Sequence, residues 1–187
     1  AAAQKRMEQK DAAGAVIELK NLLQQNPDNA TGRYLLGKAL LEGGDLAGAE
    51  IELRRAWDLG APRDELAPLL AQTMLKSGQS RKLIDDYADL SLADPKAMSV
   101  LQQQLALAFL AQGSLPEAKA AAARALQLTP EDEDAIIVSA RTKLAAGFPD
   151  EAVVALDKLL QSKPKAAKAL LLKGEVMLAR GKPAEAE

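Results

Sequence analysis

Glycine recurs in this chain at Gly44, Gly78, Gly113, Gly147 and Gly181, at spacings of 34, 35, 34 and 34 residues. Proline keeps nearly the same beat at Pro27, Pro62, Pro95, Pro130 and Pro164, and a small residue does so at Ala15, Ala49, Ala118, Ala152 and Ala186. Three markers sharing one period imply one supersecondary unit copied along the chain, each copy burying its apolar face against the next. Each marker has a backbone reason. Gly takes the left-handed conformation that ends a helix without the penalty a Cβ would bring, so it is expected to close the first helix of each pair, helix A. Pro lacks an N–H and restricts the residue before it, so it is expected to close helix B. Between them Ala49, Leu53 and Ala56 share one face at i, i+4 and i+7, with Glu and Arg on the other.

Composition agrees. The 187 residues are 48% apolar but only 3% aromatic, rich in Ala and Leu, which favours close-packed helices over a sheet and makes the chain all-α. A net charge of −2 without a basic block leaves no electrostatic footprint for nucleic acid or an anionic membrane. With no Cys and no His, thiol nucleophiles, thiolate or imidazole metal sites and Ser-His pairings drop out, so no enzyme and no cofactor is expected. The longest apolar run, Leu105 to Ala111, is far short of the ~20 residues that span a bilayer.

The markers resemble the tetratricopeptide repeat. In the unit from Ala30 the family's Leu-Gly pair is Leu36-Gly37, its next large residue Leu40, its small residue opening helix B Ala49, then Leu53 and Ala56, while Arg33 stands at the family's Trp position. The matching sets are Leu105, Ala106, Phe109, Ala118, Ala122 and Ala125 in the unit from Ser99, and Ile136, Ala140, Ala152, Leu156 and Leu159 in the unit from Glu133. The resemblance implies a right-handed superhelical solenoid of antiparallel helix pairs, about five and a half units over 1–187: 1–29 (partial), 30–63, 64–98, 99–132, 133–166 and 167–187 (partial). The unit from Asp64 departs most, with Leu83 in place of Ala, and a local change of superhelical packing is expected between Leu83 and Lys96, a slightly longer turn being the alternative. Both ends cut through a unit, so a fragment of a longer array is expected, with the apolar face of the last A helix at Leu170 and Met177 partly open and homo-oligomers forming through such ends.

A narrower resemblance lies in Ala12 to Leu75, where VIELKN, LLGKALLE, AEIELRRA and LGAPRDELAPLLAQ are similar to the tetratricopeptide-repeat lipoprotein of bacterial exosortase/PEP-CTERM systems. It implies an extracytoplasmic setting, periplasmic or anchored at the outer membrane in the full-length protein, linked to exopolysaccharide production and protein sorting.

The family's A helices line a groove that takes protein or peptide partners. Mapped onto this sequence, the groove-facing positions are Tyr34, Lys38, Leu41, Gln72, Leu75, Gln103, Leu107, Leu110, Ile137, Arg141, Leu144, Leu171, Glu175 and Leu178. Tyr and Arg are favoured at binding hot spots, which singles out Tyr34 and Arg141. The competing reading of several of the leucines is packing against an adjacent helix or against a neighbouring unit outside this sequence. The Asn residues with which some relatives hold a C-terminal carboxylate are absent from these positions, since Asn21, Asn26 and Asn29 all lie at the end of the first unit. Glu131 to Asp134 reads as a helix start rather than a cation site, because carboxylates suit the positive end of a helix. Trp57 reads as packed between units rather than as a surface anchor, and Asn29-Ala30-Thr31 is a weak glycosylation triplet. The leading expectation is a non-catalytic interaction scaffold. The alternatives are a saccharide- or small-ligand-binding domain working through Lys38 or Arg141, or an assembly module stacking through its ends.

Overall fold

The computed structural model describes residues 6–7 and 11–181. Every regular element among them is a helix: α1 (Ala12–Gln25), α2 (Ala30–Glu42), α3 (Leu46–Asp58), α4 (Arg63–Lys76), α5 (Ser80–Tyr87), α6 (Pro95–Ala111), α7 (Leu115–Leu128), α8 (Glu133–Ala145), α9 (Pro149–Ser162) and α10 (Ala167–Ala179). The expected leading helix A, Ala1 to Gln9, falls largely outside the described residues.

The marker glycines do what their period implies. Gly44, Gly78, Gly113, Gly147 and Gly181 have φ between 70 and 85°, and each follows an A helix, α2, α4, α6, α8 or α10. Each donates its N–H to the carbonyl three residues back, on Leu41, Leu75, Leu110, Leu144 and Leu178. The next residue closes the turn: Asp45 bonds Leu40, Gln79 bonds Met74, Ser114 bonds Phe109 and Phe148 bonds Lys143. That pair of bonds is a Schellman motif with Gly at the left-handed position. One residue later the B helix begins.

The prolines serve three roles. Pro27, Pro130 and Pro164 follow Asn26, Thr129 and Lys163, whose φ of −130 to −139° and ψ of 74 to 81° lie outside the helical region that a following Pro disfavours, and so α1, α7 and α9 end there. At α3 the chain turns earlier, through Gly60 at φ 82°, which leaves Pro62 to precede α4. Pro95 begins a helix instead of closing one. It stands in the first turn of α6, where its missing N–H has no intrahelical partner to lose, and the Asp94 carboxylate accepts from the Ala97 N–H at 3.0 Å. The unit expected from Ser99 therefore starts its A helix at Pro95, and the helix before it, α5, has 8 residues where α7 and α9 have 14. Between Leu83 and Lys96, where a change of packing or a longer turn is expected, the chain shows this shortened helix and a longer connection, 88–94, before α6.

The chain divides into two compact units, Ala1–Ala93 and Asp94–Glu187. In the first, α1 to α5 bury Ala15, Leu19, Leu36, Ala49, Leu53, Ala56, Leu66, Leu70, Met74 and Leu83. Trp57 is half-buried, with Tyr87 edge-on at 6.1 Å between ring centroids and the Arg63 guanidinium 5.3 Å from the ring. In the second, α6 to α10 bury Leu101, Leu105, Ala118, Ala122, Ala125, Ala140, Ala152, Leu156 and Leu172. Ala49, Ala118 and Ala152 are all 0% exposed. Replacing any of them with Leu is expected to overpack a helix contact and lower stability by about 1–3 kcal/mol. Denaturant midpoints equal to that of the parent chain would contradict the register.

On α10, Leu170 is 49% exposed, whereas Met177, expected on the same open face, is 4% exposed. Met177 shares the buried side of α10 with Val176 and Leu172, so it belongs to the core.

Candidate functional site

The A helices touch one another as well as their B partners: α2 meets α4 in the first unit, while α6 meets α8 and α8 meets α10 in the second. Each unit therefore carries one continuous A-helix face, and the expected partner-binding residues lie on the helices that form these two faces, though Leu41, Gln103 and Ile137 are buried.

In the first unit Tyr34 and Lys38 on α2 are half-buried, as are Gln72 and Leu75 on α4. Burial and then the nearby Glu65 carboxylate push the Tyr34 phenol above its ordinary pKa, so it stays a neutral donor across the physiological range. Lys38 has no ion pair among the described residues. Leu41 differs from its expected place, being 6% exposed within the core side of α2. Pro68 sits inside α4 on this same region, where it removes one backbone donor from the helix.

The second unit has a different character. Leu107, Leu110 and Leu144 are half-buried, and Leu171 and Leu178 are 67% and 61% exposed. Arg141 on α8 and Glu175 on α10 are exposed and face each other at 3.8 Å. About two turns nearer the helix starts, Lys168 meets Asp134 at 2.7 Å, and that hydrogen bond, with burial opposing it, raises the Lys168 pKa. Gln103 and Ile137, expected to line the face, are 3% and 7% exposed. Gln103 is drawn inward by polar partners. Its amide donates to Ser99 Oγ at 3.3 Å and to Asp132 Oδ1 at 3.2 Å, and Ser99 in turn bonds the Ala125 carbonyl at 3.0 Å. Ile137 packs into the cluster around Ala140, Leu156 and Leu172.

Asp132 also accepts from the Ala135 N–H at 2.8 Å, so it caps α8, with Glu133 and Asp134 in the first turn. The acidic run is thus a helix start. Asn29 likewise caps α2 through the Gly32 N–H at 2.8 Å, which occupies the side-chain oxygen of the glycosylation triplet. Among the described residues no group of three or more carboxylates is placed to hold a metal ion, and no helix is long and apolar enough to cross a membrane.

Sequence reading missed Glu65, Asp134 and Lys168 as members of these faces. For two of them a signal existed: Asp134 and Lys168 are opposite charges 34 residues apart, as are Arg141 and Glu175. One repeat period places them at the same register on adjacent A helices.

Antiparallel helix pairs repeating at this period, with glycine-closed A helices lining a shared face, define a class of repeat array. The profile of the tetratricopeptide repeat matches residues 6–73 and 109–167, and the chain belongs to that family. No curated protein sequence matches it. Among solved structures it is similar to PilW, a type IV pilus biogenesis factor, at 20% identity and a TM-score of 0.78 over 98% of this chain and 85% of PilW. It is also similar to TTC0263, a thermophilic protein of the same repeat class from Thermus thermophilus, at 18% identity and a TM-score of 0.71 over 94% of this chain and 95% of the other. A third likeness is to YrrB, described as having an unusual peptide-binding site, at 19% identity and a TM-score of 0.65 over 91% of this chain and 88% of YrrB. At these identities the likeness establishes the shared fold. Proteins of the family are typically protein–protein interaction scaffolds and generally non-catalytic.

Proposed function

We propose that this chain is a non-catalytic scaffold whose A-helix faces hold a segment of a protein partner. The observation that carries the reading is the mixture on those faces. Exposed leucines offer apolar area, while Tyr34, Lys38 and Gln72 offer polar groups that are half-buried and so already partly ordered before a partner arrives. The peptide-binding site named for YrrB supports the same class of ligand. A saccharide reading is weaker, because Arg141 is engaged by Glu175 and the faces carry no stacked pair of aromatic rings among the described residues.

In this reading the partner belongs to an extracytoplasmic system of exopolysaccharide production and protein sorting, which the wording of Ala12 to Leu75 supports. Selection from a random peptide display library tests the scaffold reading. Selected peptides should bind the chain, and Tyr34→Ala or Leu178→Ala should weaken a given peptide by about tenfold, the size expected for losing one anchoring side chain. Failure to enrich any peptide, or peptides indifferent to every substitution on both faces, would remove it.

A further inference from the structure

The A-helix face of the second unit carries a row of leucines in one register. Leu110, Leu144 and Leu178 each stand three residues before a positive-φ glycine, and each has its carbonyl held by that glycine's N–H at 3.0 Å. The same bond to a left-handed glycine therefore sets all three at corresponding heights on α6, α8 and α10, helices that touch in succession. Ala111, Ala145 and Ala179 follow them and are exposed, so the row is flanked by small side chains that let another backbone come close.

Packed helices lie about 8–10 Å apart axis to axis, which sets the pitch of the row. An α-helix crossing it advances about 10.5 Å in seven residues, bringing an apolar residue over each leucine in turn. An extended strand covers the same distance in about three residues, but alternation puts the first and fourth side chains on opposite sides. A polyproline helix has a matching pitch of about 9.3 Å, yet its recognition relies on aromatic walls, and this row has none.

Charge narrows the occupant further. The ionic groups between the A helices of this unit neutralise each other, Asp134 with Lys168 at 2.7 Å and Arg141 with Glu175 at 3.8 Å. No unmatched cation or anion in these pairs remains to attract an acidic or basic segment. We propose that the second unit binds an amphipathic helix of a protein partner, with apolar residues repeating at seven-residue spacing and no net charge toward the face. The proposal rests on the scaffold reading and specifies its ligand.

Three labelled peptides decide it, tested on the whole chain by fluorescence anisotropy. The first spans about three heptads with Leu every seventh residue, Ala beside it, and Glu and Lys in equal number on the far side. The second has the same composition with Leu every fifth residue, and the third is proline-rich. The heptad peptide should bind, the other two should bind at least about tenfold more weakly, and Leu178→Ala, a surface substitution, should weaken the heptad peptide about tenfold. Its affinity should change less than about twofold between about 50 and about 500 mM salt, since no net charge is matched across the contact. Equal binding of the three peptides, a steep salt dependence, or indifference to Leu178→Ala would overturn the proposal. Should display-selected peptides bind while the heptad peptide does not, this proposal falls and the scaffold reading stands. Absence of binding by either kind removes both.

Discussion

Leu53→Ala is expected to destabilise the chain by about 2–5 kcal/mol, and Gly37→Ala by about 1–3 kcal/mol, but the two together by less than their sum. Leu53 on α3 is 0% exposed and lies across Gly37 on α2. A Cβ added at Gly37 would sit 2.6 Å from Leu53 Cγ and 2.8 Å from Leu53 Cδ2, closer than such atoms approach. Truncating Leu53 leaves a cavity, and adding a methyl at Gly37 alone forces a well-packed leucine aside. In the double variant the two crowding atoms are gone, and the next nearest atom to the new methyl is the Leu53 amide nitrogen, at 3.2 Å. There Gly37→Ala should be neutral or stabilising, helped by the roughly 1 kcal/mol by which Ala exceeds Gly inside a helix. Urea unfolding of the four chains measures the coupling, and strict additivity would show that the two residues do not share this contact.

Leu83→Ala is expected to cost about 2–5 kcal/mol, although the family puts a small residue at this position. Leu83 is 0% exposed on α5, a helix of 8 residues whose other large buried side chain is Tyr87. So short a helix has little intrinsic stability and depends on its packing. Polar ties help it: Lys82 reaches Glu50 at 3.4 Å and Asp86 reaches Arg54 at 3.2 Å. Burial alone would raise the Glu50 carboxyl, but hydrogen bonds from Gln79, Arg54 and Lys82 hold it below its ordinary pKa. Such part-exposed pairs contribute on the order of 1 kcal/mol or less and cannot replace the leucine. A loss under about 1 kcal/mol in calorimetry or denaturant unfolding would mean that α5 collapses to fill the space.

The residues that were legible in the sequence are those whose role is local. A glycine at a helix end is chosen by its own φ, and around Gly44, Gly78, Gly113, Gly147 and Gly181 a Cβ would meet nothing within 4 Å, so the backbone angle alone selects it. The small residues of helix B were readable for a similar reason, since Ala49, Ala118 and Ala152 repeat one contact. Proline was only partly readable. It forbids continuation of a helix and equally suits the first turn of a new one, so Pro164 and Pro95 look alike in sequence and act oppositely. The two faces were least legible. Whether Gln103 points to solvent depends on Ser99 and Asp132, which lie on either side of it in the chain and gather around it only once α6, α7 and α8 have packed. Leu41 and Ile137 follow the right period, yet their final exposure of 6% and 7% is set by how neighbouring helices settle.

The pairing of opposite charges one period apart also bears on how such an array changes length over generations. Repeat proteins grow and shrink by gain or loss of whole units, because each unit contacts chiefly its neighbours. A unit gained between α8 and α10 would separate Asp134 from Lys168 and Arg141 from Glu175 in a single event. The stability lost would be small, about 1 kcal/mol or less for each exposed pair. The larger effect would be electrical. Two acids and two bases would be freed to meet whatever the newcomer presents, turning a self-compensated face into one that sorts partners by charge. A unit gained between α2 and α4 would leave both pairs intact. Lineages could therefore lengthen the first unit without altering the polarity of the second, whereas length at the second joint and ligand preference would drift together.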